Sequence, residues 1–203
     1  MTVKVKICGV RTVMDARAAA RAGADFIGLN FHPASARAVD VETAAAIAAA
    51  VPDVPLVGVF VDAARAMVED VARAVGLWGL QFHGDESPAW CRGFDRATIK
   101  ALRARPGDDL ATTGAAYDTD YILLDSFVAG RPGGTGVPLD PACAHGLQGD
   151  RLFVAGGLRP DTVAAVVRLL RPFAVDVASG VERAPGIKDH DEIESFIRRA
   201  KAA

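Results

Sequence analysis

Cysteine is scarce in this chain. The 203 residues hold three, Cys8, Cys91 and Cys143. An odd number, widely spaced and without a C-x-x-C pair, argues against a disulfide scaffold and against a zinc site. Histidine is nearly as rare, with four residues and no pair at ligand spacing, so no metal is expected. Neither sign of charge is in excess: 23 Lys and Arg face 25 Asp and Glu, for a net charge of −2. The basic residues are spread along the chain, which leaves no electrostatic footprint for nucleic acid. No apolar run approaches the ~20 residues that would span a bilayer. The opening MTVKVKICG has no long apolar stretch and reads as a strand, so no signal peptide is expected and the cytoplasm is the expected compartment.

What the chain does have is alternation. Half of it is apolar and a quarter charged, the balance of a soluble globular protein. Short Val/Ile/Phe-rich runs alternate with longer Ala/Arg/Glu segments of helical period. The runs are Val3–Cys8, Asp25–Phe31, Leu56–Val61, Leu77–His83, Ala97–Leu102, Tyr121–Asp125, Arg151–Ala155 and Phe173–Ala178. The helical segments are Thr12–Ala22 (stopped by Gly23), Val41–Ala50, Ala63–Val75, Ser87–Arg92, Pro160–Leu170 and Asp191–Ala200. Arg103–Thr119, rich in Pro, Gly, Asp and Thr, reads as a loop or a short irregular helix. Strands separated by helices are parallel strands, because a parallel neighbour needs a crossover. An open doubly wound sheet would show G-x-G-x-x-G after its first strand, and Cys8-Gly9-Val10-Arg11 stands there instead. The expected fold is α/β, a single-domain (β/α)8 TIM barrel over residues 1–203, with an irregular or missing helix after strand five and lean loops.

In such barrels function sits at the C-terminal ends of the strands. Gly156-Gly157 follows strand seven and Ser179-Gly180 follows strand eight, where backbone N–H groups often hold a phosphate; tight turns are the plainer alternative. Cys8, ending strand one, is either a buried filler or a base or nucleophile in the barrel mouth. Asp125 ends strand six before the Gly-rich stretch Gly130–Gly136, with no helix at hand for it to cap, and so reads as an acid or base. Arg37, after strand two, is either solvated or forks a carboxylate. His83, after strand four, is suited to substrate binding, proton transfer or a backbone contact. Asp176, inside the apolar strand eight, needs a partner or a role.

Taken in order, several segments carry a resemblance. They are Lys6-Ile7-Cys8-Gly9, Gly23-Ala24-Asp25, Val57-Gly58-Val59-Phe60-Val61, Gln81-Phe82-His83-Gly84 and Leu123-Leu124-Asp125-Ser126. They continue with Gly133-Gly134-Thr135-Gly136, Ala155-Gly156-Gly157-Leu158, Asp176 to Glu182 and Pro185 to Asp189. Together they make the chain resemble the phosphoribosylanthranilate isomerase family over nearly its whole length. The resemblance implies an Amadori rearrangement of a phosphosugar substrate by proton transfer alone, without cofactor or metal. It implies Cys8 as general base, Asp125 as general acid, Arg37 on the anthranilate carboxylate and the two glycine loops on the phosphate. Val137-Pro138 and His32 depart from the family pattern, which commonly has Lys-Thr and an aromatic residue there. Ribulose-phosphate epimerases and the related isomerase of histidine biosynthesis are the nearest rivals. The latter would carry a carboxylate where Cys8 stands. A non-catalytic sugar-phosphate-binding barrel would need neither Cys8 nor Asp125. Monomer and homodimer are both open. The chemistry requires a thiolate at Cys8 and a protonated carboxyl at Asp125, the reverse of their ordinary forms near neutral pH, and oriented backbone dipoles are expected to favour the thiolate.

Overall fold

Alternation at period two puts successive side chains of a strand on opposite faces, and this decides how the molecule closes. In a computed structural model, which describes residues 2–105, 107–126, 146–147 and 149–203, eight parallel strands form a closed barrel. They are β1 (Lys4–Cys8), β2 (Phe26–Asn30), β3 (Leu56–Phe60), β4 (Gly79–Phe82), β5 (Ala97–Ala104), β6 (Tyr121–Ser126), β7 (Leu152–Val154) and β8 (Ala174–Val177). Each pairs with the next, and β1 pairs with β8 through Lys4↔Ala174 to Ile7↔Val177. The helices are α1 (Val13–Ala22), α2 (Val41–Ala50), α3 (Arg65–Val75), α4 (Leu110–Ala115), α5 (Val163–Leu170) and α6 (His190–Lys201). A two-stranded hairpin, β9 (Glu182–Ala184) and β10 (Ile187–Lys188), follows β8.

The two strand faces build two apolar layers. Val5, Ile7, Ile27, Leu29 and Leu80 face outward into the layer shared with Ala19, Val68, Ile193 and Phe196 of the helices. Phe26, Val57, Ile99, Leu123 and Phe153 fill the barrel from inside, ringed by Trp78, Tyr121 and Phe173. This inner plug closes the N-terminal end, so the polar inward residues further along the strands open to one side only.

Most helix boundaries follow local chemistry. Thr12 caps α1 by accepting from the Asp15 N–H, and Gly23 ends it at φ 91°. The seam between the first and last elements is held by Asp25. Its carboxylate accepts from Lys4 Nζ at 3.0 Å and Val5 N–H at 2.9 Å, and Lys201 Nζ stands 2.9 Å away. Burial would push this carboxyl up, but Lys201, the Val5 N–H and Lys4 outweigh it and hold it below its ordinary value.

Three boundaries differ from the sequence reading. Ser87–Arg92 is not a helix but a single turn, closed by Cys91 N–H to the Ser87 carbonyl. Trp90 and Phe94 fold onto Phe82 at ring distances of 5.0 and 5.1 Å, and the Arg65 guanidinium takes up the carbonyls of Arg92 and Gly93. Long-range partners thus satisfy groups that a helix would have satisfied. After strand five the helix is present but short, and β5 runs on to Ala104 because Arg103 and Ala104 pair with Asp125 and Ser126. α5 starts at Val163, three residues later than Pro160. The Gly130–Gly136 stretch, Val137-Pro138 and Cys143 lie outside the described residues.

A buried ion pair fixes the turn after β4. Lys100 Nζ donates to Glu86 at 2.7 Å and to the Gly84 carbonyl at 2.7 Å, while Glu86 accepts from the N–H groups of Asp62 and Gly84. Removing one partner of such a pair strands the other charge, at a cost of about 3 kcal/mol or more. Lys100→Met should therefore lower the urea midpoint strongly, and the double variant Lys100→Met/Glu86→Gln should lower it less. Equal loss in both, read by circular dichroism, would show that the pair is not coupled.

Candidate active site

Lys6 and Cys8 are two positions apart on β1, so both point into the barrel while Val5 and Ile7 face the helices. Lys6 is fully buried, and its Nζ donates to Asp176 Oδ1 at 3.0 Å and to Gln81 Oε1 at 2.9 Å. Burial works against the ammonium, but Asp176 and Cys8 outweigh it and hold Lys6 above its ordinary value. Gly28 of β2 makes room for this cluster: a Cβ there would lie 2.8 Å from Cys8 Sγ and 3.0 Å from Lys6 Nζ.

The Cys8 thiol is pushed up by burial, and Asp176 pushes the same way. Lys6 and Lys188 pull it down without prevailing. The charges that favour the thiolate are two lysines, and burial outweighs them.

On the other side of the mouth, Gln81 Nε2 meets His83 Nδ1 at 3.0 Å, and His83 Nε2 stands 3.3 Å from Asp125 Oδ2. The extended β5 brings Arg103 alongside, its guanidinium 3.4 Å from the His83 carbonyl. At the rim, Arg37 presents Nε and one terminal nitrogen to both oxygens of Glu182, at 2.8 and 2.7 Å, and Lys188 Nζ donates to Glu182 at 2.9 Å. The fork expected to grip a ligand carboxylate is thus already engaged by Glu182, which leaves the outer edge of the guanidinium for a ligand. Burial pushes the Glu182 carboxyl up, but Arg37 and Lys188 prevail and hold it low.

The two glycine loops touch each other. Gly156 and Gly157 have φ of 82° and 65°, where side chains are strained. A Cβ on Gly180 would collide with the Leu158 carbonyl oxygen, so only glycine lets the two loops meet. α5 starts only at Val163, so Gly156-Gly157 lie in a loop, whereas Ser179 and Gly180 open a single 3-10 turn, Ser179–Val181.

All nine residues singled out from the sequence line one cavity of about 380 Å³: Cys8, Arg37, His83, Asp125, Gly156, Gly157, Asp176, Ser179 and Gly180. Arg103 lines it too. Sequence reasoning gave no role to Lys6, Gln81, Arg103, Glu182 or Lys188. The signal for Lys6 and Gln81 was available, since a polar residue in register with inward-facing neighbours of a closed barrel must point inside. Among the described residues, no group of His, Cys, Asp and Glu is arranged to hold a metal ion.

The family profile described as N-(5'phosphoribosyl)anthranilate (PRA) isomerase matches residues 5–199. The chain belongs to this family. An N-(5'-phosphoribosyl)anthranilate isomerase of Pseudomonas putida strain W619 is 49% identical over 203 residues, 99% of this chain and 98% of the relative. A phosphoribosyl anthranilate isomerase crystal structure from Thermotoga maritima superposes with a TM-score of 0.91 at 37% identity, covering 99% of this chain and all of that one. Another isomerase of the family, in complex with reduced 1-(o-carboxyphenylamino)-1-deoxyribulose 5-phosphate, matches with a TM-score of 0.87 at 37% identity, again over 99% of this chain and all of that one.

The thiol environment has a measurable consequence. Cys91 is buried and pushed up to about 11, chiefly by burial. In a Cys143→Ser protein, iodoacetamide should therefore label Cys8 first, since Cys8 opens to the cavity. Thiolate grows with pH, so the labelling rate should rise with a midpoint above the ~8.5 of a free thiol. Lys6→Met removes the favouring charge beside Cys8 and should slow labelling further at any given pH. Faster labelling in Lys6→Met, followed by mass spectrometry, would show that the ammonium does not favour the thiolate.

Proposed function

We propose that this chain isomerises N-(5'-phosphoribosyl)anthranilate to 1-(2-carboxyphenylamino)-1-deoxyribulose 5-phosphate, a step of tryptophan biosynthesis, with Cys8 as general base and Asp125 as general acid. The observation that carries the reading is that a thiol and a carboxyl, from the non-adjacent strands β1 and β6, line one cavity with a guanidinium and two touching glycine loops.

The reaction divides naturally over those groups. Asp125 gives a proton to the furanose ring oxygen, the C1–O bond breaks, and the nitrogen lone pair closes a C1=N Schiff base. Cys8 as thiolate then takes the C2 proton, giving an enolamine that tautomerises to the ketone. No electrons leave or enter the substrate, so proton transfer suffices and no cofactor is called for. The N–H groups of the loops at Gly156-Gly157 and Ser179-Gly180 suit the phosphate. The outer edge of Arg37, oriented by Glu182, suits the anthranilate carboxylate. Lys6 and Lys188 supply the positive charge that a thiolate needs.

We place the enzyme in the cytoplasm, with residues 1–203 as one catalytic domain, as a monomer or a homodimer. Sedimentation decides between the last two; a relative from Thermotoga maritima is described as dimeric. Among the described residues no helix is long and apolar enough to cross a membrane, and no membrane or nucleic-acid partner is invoked.

Loss of phosphoribosylanthranilate fluorescence in a metal-free assay tests the activity. Cys8→Ala and Asp125→Asn should each lower kcat by about 10²–10⁴-fold with the fold intact by circular dichroism. Near-normal turnover in either variant would exclude that residue as the base or the acid. Arg37→Ala should raise KM more than it lowers kcat, and Arg37→Lys should not restore it, because a point charge cannot serve Glu182 and substrate together. Inorganic phosphate should inhibit competitively. Gly180→Ala, by forcing the loops apart, should weaken that inhibition more than it changes thermal stability. Unchanged phosphate inhibition in Gly180→Ala would place the anion elsewhere.

A further inference from the structure

We infer that Gln81, oriented by Lys6, fixes which nitrogen of His83 carries the proton and so aims the acid proton of Asp125 at the substrate. This rests on the reading of Asp125 as the general acid. Donor and acceptor capacity, followed along one chain of contacts, is enough to assign each proton.

The ammonium of Lys6 has three hydrogens and can accept nothing. The Gln81 atom that meets it at 2.9 Å must therefore be the carbonyl oxygen, because an amide nitrogen there would set hydrogens against hydrogens. That fixes the other end of Gln81 as the NH₂ group, which can only donate. It meets His83 Nδ1 at 3.0 Å, so Nδ1 is the accepting nitrogen and carries no hydrogen. The single ring proton sits on Nε2, 3.3 Å from Asp125 Oδ2. A proton on Nδ1 would face the amide hydrogens of Gln81, so the geometry assigns the ring proton to Nε2.

For Asp125 the result is directional. Oδ2, 3.3 Å from the ring nitrogen that carries the hydrogen, is the oxygen favoured electrostatically to stay bare, so a proton bound for substrate belongs on the other oxygen. The same Nε2–H faces the carboxylate that forms once the proton has gone to substrate. Charged groups on the elements around His83 are Asp125 on β6, Arg103 on β5, which contacts the His83 carbonyl, Lys100 on β5, which pairs with Glu86, and Asp62, Asp85 and Glu86 in the adjoining loops. None of them contacts Nδ1, which belongs to Gln81. Lys6 and Gln81 are thus positioning residues. They act on Asp125 through His83, and Lys6 stands at the same time beside Cys8.

The test reads the ring directly. In substrate-free, uniformly ¹⁵N-labelled protein near neutral pH, the ring ¹⁵N–¹H correlation spectrum should show His83 as the Nε2–H form, assigned by its loss in His83→Asn. An Nδ1–H form or an imidazolium would overturn the inference. Gln81→Glu replaces the donor with a carboxylate of the same shape, which accepts from Nδ1–H. The His83 signals should move to the imidazolium pattern, and kcat should fall about 10–100-fold with KM within about twofold. An unchanged spectrum and unchanged kcat in that variant would also overturn it. Should Gln81→Glu fail to fold, the wild-type spectrum decides alone. A protein inactive toward phosphoribosylanthranilate would sink the proposed function, while the ring spectrum would still test the tautomer.

Discussion

A buried ammonium with no way out to water organises this molecule. Lys6 sits inside the barrel, and an unpaired charge there would be prohibitive. Asp176 neutralises it from β8 and Gln81 accepts from it on β4, so one side chain connects three strands that are not sequence neighbours. The same charge lies beside Cys8, and the hydrogen bonds that run from it through Gln81 end on His83, whose Nε2 stands 3.3 Å from Asp125. The electrostatic neutrality of the core and the arrangement of the reacting groups are therefore one problem with one solution.

The rest of the mouth divides the labour. β7 and β8 end in glycine loops that offer backbone N–H groups and no chemistry of their own. β1, β4 and β6 bring Cys8, His83 and Asp125, the groups that the proposed reaction uses to move or steer protons. The rim ion cluster of Arg37, Glu182 and Lys188 ties the loop after β2 to the hairpin β9–β10, so the outer wall is braced from outside the sheet. In the proposed reaction, binding energy gathered at the phosphate and at the rim orients the sugar between them, beside Cys8 and Asp125.

Much of this is legible in the sequence, for a physical reason. Parallel strands buried on both faces are written as short apolar runs, and the C-terminal end of each run marks the mouth, so Cys8, Asp125, Arg37 and the glycine pairs can be placed from the residue pattern. Period alone fails where distant residues decide local structure. Ser87–Arg92 has helical texture, yet Arg65 and the rings of Phe82, Trp90 and Phe94 hold it as a turn. Arg103 reads as loop because its strand pairing belongs to β6 and not to its own neighbourhood. The partner of Arg37 is out of reach for the same reason: Glu182 lies 145 residues away, and nothing local singles it out.

That separation has a bearing on how the molecule comes to exist. Lys6 and Asp176 lie 170 residues apart and close the seam where the first strand meets the last. A growing chain emerging from synthesis therefore carries its ammonium for nearly its whole length before the counterion exists. Until β8 docks, β1 lacks both the strand that pairs with it across the seam and the carboxylate that neutralises Lys6. Docking of β8 and assembly of the cavity are therefore coupled, because Asp176 and the turn at Ser179-Gly180 arrive together.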